Sequence, residues 1–362
     1  MKAAVISLGS KSSEWTIEAM KKYFGSVANI NIRHIDIKLG ESKLEVYYDG
    51  KPLHDFDCVY AKGSFRYALL LRSITEAISS KTYLPISAEA FSIAHDKLLT
   101  HLVLQKNNIS MPKTYLSSTV LAGKKLLEKV HYPIVMKFPH GTGGRGVMFA
   151  DSYSSASSVF DALEALRQPF IIQEYIETGG SDVRVIVAGN KIIGSMKRKA
   201  VIGEKRSNIH AGGTGEPITL DSSAQNLAIR TAKAVGAEVC AVDMLENPRG
   251  GYLVIEANLS PGLQGITKAT NLDVADRIAK YLFQRAKEIK DSSRKESTSQ
   301  ILEALDVKKS GNIKQSQHIF TNLDFRGERI LLPKIVSALG NLREKDEVTI
   351  EIEKGKIKIE KN

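Results

Sequence analysis

The spacing of apolar and polar positions changes twice along the chain. Through residue 90, short apolar runs alternate with helical spacing. Ala3 to Leu8 reads as a buried strand, and Ser13 to Phe24 as a helix capped by Ser12 or Ser13. Ile30 to Ile37, Lys43 to Tyr48 and Asp57 to Ala61 read as strands, with an Asp49-Gly50 turn closing the second. Ser64 to Ser79 reads as a helix. That alternation predicts an open α/β sheet.

From Ser87 the runs lengthen and are joined by hairpin signals. Ala88 to Gln105 and Val120 to Lys129 have helical spacing, Pro133 to Phe138 is a strand, and a glycine loop leads to a second strand at Met148 to Ala150. A helix at Ser154 to Leu166 and a strand at Phe170 to Ile176 follow. Strands are then predicted at Asp182 to Ala188 and Lys191 to Met196, and a helix at Ser222 to Val235. Two apolar runs next end in acids, Ala241-Val242-Asp243 and Leu253 to Asn258, with Asn247-Pro248 and Gly250-Gly251 between them; this is a hairpin. A helix at Asp273 to Ile289 closes this body. Residues 290–316, rich in Ser, Lys, Glu and Gln, read as a linker with a short helix at Gln300 to Leu305, and 317–362 as a small β-rich unit with a helix starting at Pro333. The expected layout is an α/β domain over 1–90, mixed α+β subdomains over 91–180 and 181–289, the linker, and the tail unit.

Composition adds limits. At 362 residues, 43% hydrophobic and 25% charged, the chain has room for several packed domains. No apolar run is long enough to span a membrane, and the N-terminus lacks a secretion-signal pattern, so a cytoplasmic protein without a membrane partner is expected. Two cysteines in apolar surroundings, Cys58 and Cys240, read as buried thiols. The net charge of +11 is spread out, which suits small anionic ligands; no clustered basic block marks a nucleic-acid arm.

Three stretches carry chemistry. In the hairpin, Glu256 and Asn258 share a strand face, and Asp243 comes beside them if the register is as expected. Two carboxylates and an amide oxygen form an all-oxygen set suited to Mg²⁺ or Mn²⁺. The loop His140 to Gly146, with Gly143 and Gly144 at its centre and Lys137 just before it, can bring backbone amides to phosphate oxygens. It is neither a Walker loop nor a dinucleotide turn, and Leu8 to Ser12 is too poor in glycine to be one. The third stretch, Arg206 to Gly213, places Arg206, Asn208 and His210 ahead of paired glycines, a donor set suited to a transferring phosphoryl group.

These motifs together resemble the RimK-type ATP-grasp ligases, an α/β fold family that joins glutamate or related amino acids to carboxylates. The stretches carrying the likeness are Asp96-Lys97, PIVMKFPHGTGGRGV, QEYIETGGSDVR, Lys197 to Ala200, RSNIHAGG, AVDMLE and VIEANLSPGLQGI. The resemblance implies that Lys97, Lys137 and the lid glycines Gly143, Gly144 and Gly146 meet ATP phosphates. Glu174, Tyr175 and Ile176 would hold adenine and Asp182 the ribose. Asp243, Glu256 and Asn258 would bind two Mg²⁺ or Mn²⁺ ions. Arg206, Asn208 and Arg198 would act on the transferring group, with Arg184, Arg198 and His210 facing substrate. The implied partners are L-glutamate and a carboxylate-bearing acceptor, either a small coenzyme or a protein C-terminus. Related activities, such as making a glutathione-like dipeptide or acting on a carrier protein, are the alternatives, as is an ATP-sensing regulator with a DNA-binding tail. The tail resembles an AbrB-type swapped-hairpin domain through Ile330 to Pro333, Leu339-Gly340 and Lys345 to Val348. Its core would be thin alone, so a homo-oligomer is expected, and its near-neutral charge argues against nucleic acid as its partner.

Overall fold

The structure, a computed structural model, describes residues 1–40, 44–80, 82–117, 119–141, 146–165, 169–201, 213–304, 324–326, 329–331, 347–353 and 356–361. The chain divides into two compact units, Met1–Ser299 and Gln300–Asn362.

The first unit opens with β1 (Lys2–Ser7), α1 (Lys11–Lys21), β2 (Ser26–Asn31), β3 (Ile35–Lys38), β4 (Glu45–Tyr48), β5 (Lys51–Pro52), β6 (Cys58–Ala61) and α2 (Ala68–Ile78). β1 runs parallel between β2 and β6, and its five buried residues, Ala3 to Ser7, form the floor of an open α/β sheet. The predicted strand Ile30 to Ile37 is in fact two strands in different sheets, parted by a 3-10 turn over Ile32–His34, where the Asn31 side chain accepts from the Arg33 amide. The cap of α1 is Ser10 rather than Ser12 or Ser13; its side chain accepts from the Ser13 amide.

Next come α3 (Ala88–His95), α4 (Lys97–Lys106), β7 (Thr114–Tyr115), α5 (Val120–Leu127), β8 (Ile134–Lys137), β9 (Val147–Ala150), α6 (Tyr153–Ala165) and β10 (Ile171–Glu174). Spacing alone reads 88–105 as one helix, but Asp96 breaks it. Asp96 takes an extended conformation and its carboxylate accepts from the Leu98 and Leu99 amides, so a new helix starts at Lys97. β7, β10, β8 and β9 form an antiparallel sheet. It packs with α5 and α6 around its own core of Leu127, Ile134, Met136, Phe160 and Ile172.

The remainder is β11 (Ser181–Ala188), β12 (Lys191–Lys199), β13 (Thr214–Pro217), α7 (Ser222–Ala234), β14 (Val239–Glu246), β15 (Tyr252–Asn258), α8 (Gln264–Thr270) and α9 (Val274–Ala304). An antiparallel sheet in the order β13-β12-β11-β14-β15 shares one continuous core with the N-terminal sheet and with α3 and α4. Packing therefore places residues 88–110 with this larger body and leaves 114–174 as a separately cored sheet. α9 runs on through 290–304, where composition predicts a linker. That stretch lacks Gly and Pro, the two residues that most oppose a helix interior.

In the second unit, β16 (Asp324–Arg326) pairs with β17 (Arg329–Leu331), and β18 (Val348–Glu353) with β19 (Lys356–Lys361). The predicted helix from Pro333 lies outside the described residues. Among those residues no helix is long and apolar enough to cross a membrane.

Candidate active site

One cavity of about 550 Å³ lies where the sheet bearing β8 and β10, the β11–β15 sheet and the N-terminal domain meet. Its floor is a ladder of charged side chains set by strand register. Asp182 on β11 lies opposite Arg198 on β12, Arg184 on β11 opposite Asp243 on β14, and Asp243 opposite Glu256 on β15. Asp182 and Arg184 are two residues apart, so the charges share one sheet face. A register shift after Asp243 leaves Ile255 as the extra residue of a bulge, next to Glu256. Asn258 lies two residues on, its Oδ1 accepting from the Ser260 amide at 2.9 Å.

The ladder is hydrogen-bonded through its length. Arg184 grips Asp243 with both Nε and Nη2, at 2.8 and 2.6 Å. Arg198 grips Asp182 in the same way, at 2.6 Å for each bond, and its Nη2 also donates to Asp243 at 2.9 Å. Asp243 is buried, and burial alone would raise its pKa; the guanidiniums of Arg184 and Arg198 outweigh this and hold the carboxyl well below the usual range. Glu256 behaves in the opposite way. Enclosure in the cleft and then the Asp243 carboxylate push its pKa up, although 41% of its side chain remains exposed. The two carboxylates disfavour a second negative charge at this spot. A divalent cation would relieve that repulsion, so the all-oxygen set of Asp243, Glu256 and Asn258 fits one.

The lysines arrive from other elements. The Asp96 break puts Lys97 in the first turn of α4, where its ammonium donates to the Gly141 carbonyl at 3.2 Å. Lys137, at the end of β8, donates to Gln173 Oε1 at 2.6 Å; Gln173 Nε2 contacts Thr114 Oγ1 and His101 Nε2, each at 2.8 Å. His101 Nδ1 in turn faces the Lys97 carbonyl, so a buried polar chain runs from one lysine to the backbone of the other. Burial lowers the His101 pKa to about 4, so the ring is neutral at physiological pH.

Gly146 closes the glycine loop at φ +76°. A Cβ there would lie 2.4 Å from the Phe138 ring, so only glycine fits. Gly143 and Gly144 lie outside the described residues, as do Arg206, Asn208 and His210. Glu174, Tyr175 and Ile176 line the cavity, and one oxygen of Glu174 accepts from the Lys113 amide. The cavity therefore gathers Lys97, Lys137, Glu174, Tyr175, Ile176, Asp182, Arg184, Arg198, Asp243, Glu256 and Asn258. Gln173, His101 and the capping role of Asp96 are additions that spacing did not reveal. The signal for Gln173 was a polar residue inside the apolar run FIIQEY.

Two expected results follow from the lysines. Asp96→Ala should cost about 1 kcal/mol of stability through the lost cap. It should also weaken nucleotide binding, because Lys97 loses its fixed start; equal affinity by calorimetry would refute the coupling. Burial lowers the Lys137 pKa to about 8, so its ammonium is present below that pH and lost above it. Nucleotide affinity should fall between pH 7 and 9, and Lys137→Met should be weak at both.

Two lysines, one on α4 and one on β8, facing a carboxylate platform between two separately cored sheets match the arrangement of an ATP-grasp enzyme. The RimK-like ATP-grasp domain model matches residues 94–282. A probable alpha-L-glutamate ligase of Cellvibrio japonicus (strain Ueda107) is 35% identical over 294 residues, covering 80% of this chain and 97% of that protein. One from Thioalkalivibrio sulfidiphilus (strain HL-EbGR7) is 34% identical over 292 residues, covering 79% and 97%. Among solved structures, the ATP-grasp ligase PsnB, complexed with a phosphomimetic variant of its minimal precursor, Mg and ADP, superimposes with a TM-score of 0.61 at 18% identity, covering 78% of this chain and 97% of that one. A RimK domain ATP-grasp protein from Sphaerobacter thermophilus DSM 20745 gives 0.60 at 21% identity, covering 78% and 99%. The chain belongs to the RimK-like ATP-grasp family. It has the α/β ATP-grasp fold and is an ATP-dependent carboxylate–amine ligase.

Proposed function

We propose that this ligase joins the amine of L-glutamate to an activated carboxylate on an acceptor, either a small coenzyme or a protein C-terminus. The observation that carries the reading is the buried Arg198–Asp182 and Arg184–Asp243 ladder, which ends at Glu256 in the cavity that also holds Lys97 and Lys137. The relatives' names support glutamate as the amino acid.

In this reading Lys97 and Lys137 bind the phosphates, and the chain at Glu174, Tyr175 and Ile176 holds the adenine. An acceptor carboxylate oxygen attacks the γ-phosphorus, and ADP leaves. The glutamate amine, having lost a proton, then attacks the acyl carbon, and phosphate leaves. Asp243, Glu256 and Asn258 would hold the cations, two Mg²⁺ or Mn²⁺ ions, which neutralise charge on the phosphates when bound. Arg184 and Arg198, assigned to substrate on the resemblance, are engaged by Asp243 and Asp182, and we assign them to fixing Asp243 in its ionised state. Asp182, assigned to the ribose, holds Arg198. The roles of Gly143, Gly144, Arg206, Asn208 and His210 rest on the resemblance, and Gly146 shapes the end of the lid loop.

We further propose a homo-oligomer formed through 317–362. Exposed apolar residues on its hairpin support this, with Ile350, Ile352 and Ile357 all more than half exposed. A cytoplasmic site of action accords with two buried free cysteines. The test is phosphate release from ATP with each of the twenty amino acids in the presence of extract fractions. Release should be greatest with L-glutamate; equal release with all, or none, would overturn the assignment.

A further inference from the structure

The N-terminal domain also forms part of the cavity wall, through the segments that follow β1 and β6. These strands are parallel neighbours, with Ile6 paired to Ala61, so both segments leave the carboxyl edge of the sheet side by side. That edge is where open α/β sheets bind ligands. After β1 comes the N-terminus of α1, with Ser10 and Ser13 on the cavity. After β6 comes Lys62, which also lines the cavity although its side chain is almost wholly buried, at 3% exposure.

Lys62 has no carboxylate and no side-chain hydrogen-bond acceptor among the described residues. Its ammonium lies 5.5 Å from the centroid of the Tyr60 ring. A buried ammonium without a counter-ion is costly to keep. Burial lowers its pKa to about 8, which leaves it protonated at neutral pH. Ser10 Oγ caps the Ser13 amide, which leaves the Lys11 and Ser12 amides of α1 without acceptors within the helix, and these add partial positive charge at the same wall. The wall is tied to the metal-ligand hairpin: the Gly63 amide donates to Ser260 Oγ at 2.8 Å. The Leu263 amide donates to Ser12 Oγ, also at 2.8 Å, and that hydroxyl donates to Gln264 Oε1.

We propose that Lys62 and the N-terminus of α1 form a carboxylate subsite for a substrate of the ligase, separate from the Lys97–Lys137 phosphate site. This rests on the ligase reading above, in which both reactants carry carboxylates. A single ammonium beside neutral donors matches one negative charge, and its position fixes that carboxylate against the 260–264 segment next to Asn258.

The full-length protein, loaded with a non-hydrolysable ATP analogue and Mg²⁺, is titrated by calorimetry with two probes. L-Glutamate represents the incoming amino acid, and N-acetyl-L-glutamate, with its amine blocked, represents an acceptor carboxylate. Lys62→Met should bind one probe at least about tenfold more weakly, the usual cost of losing a hydrogen bond to a charged group. Nucleotide affinity should be unchanged, and Lys62→Arg should recover part of the loss. A loss on L-glutamate assigns the subsite to the amino acid; a loss on N-acetyl-L-glutamate assigns it to the acceptor. Without ligand, Lys62→Met should melt at or above the wild-type temperature, since the buried charge is gone, and a lower melting temperature would contradict the account. If Lys62→Met binds both probes like the wild type, the subsite is wrong and the ligase reading stands. If the wild type binds nucleotide but neither probe, the glutamate assignment falls together with the subsite.

Discussion

Glu256→Gln should reduce ADP formation by about a thousandfold while leaving the fold unchanged. Glu256 faces Asp243 across the β14–β15 pair, and its nearest cationic atom, on Arg184, is 4.0 Å away. It bears little of the ladder's internal bonding, so its loss should shift the melting temperature by only a degree or two. The catalytic loss is large because a neutral amide cannot balance a divalent cation. Several kcal/mol of charge stabilisation disappear, and each 1.36 kcal/mol is a factor of about ten in rate. A coupled ADP assay beside a thermal melt checks both halves. Turnover within tenfold of wild type would show that Glu256 is not a metal ligand.

Asp243→Ala should lose activity and stability together. Asp243 accepts three hydrogen bonds from two arginines in a buried position. Removing it leaves Arg184 without its bidentate partner and Arg198 with Asp182 alone. Breaking a buried pair on one side costs about 3–5 kcal/mol, because the remaining charge stays out of water. Urea unfolding should show the drop as a lower midpoint at unchanged slope. The sign of the pH dependence follows from the depressed pKa. The carboxylate's stabilising contribution is complete above its ordinary value of 3.8 and is lost as pH falls through the lower folded-state value. The gap between wild type and Asp243→Ala should therefore be full at neutral pH and shrink below about pH 4. A variant as stable as wild type at pH 7 would mean that the ladder is not what holds these strands in register.

Much of this site was legible in the chain because its parts obey local rules. Apolar runs ending in Asp243 and Asn258, with glycine turns between them, specify a hairpin, and the strand period puts Glu256 and Asn258 on one face. The register, Asp243 opposite Glu256, is the one the metal reading required. What local pattern could not show was partnership across long sequence separations. Arg184 and Arg198 read as donors for a substrate, yet each meets an aspartate through cross-strand register, and β12 had to extend past Met196 to Lys199 for Arg198 to do so. Gln173 and His101 are 72 residues apart, and nothing near either one signals the other. Asp96 was legible in principle, since Asp is a good helix cap, but continuous apolar spacing across Ile93 to Leu104 masked the break. Lys62 carried no local signal, because the cavity it lines is assembled from segments as distant in sequence as Ser10 and Ser260.

The proposed carbon–nitrogen bond to glutamate, made at the expense of ATP, is tested by mass spectrometry of an extract incubated with the enzyme, ATP, Mg²⁺ and isotope-labelled L-glutamate. An acceptor should gain mass in whole labelled glutamyl residues with the wild type, and show no such gain with Glu256→Gln. ATP consumption with no labelled product, or labelling that persists in Glu256→Gln, would contradict it.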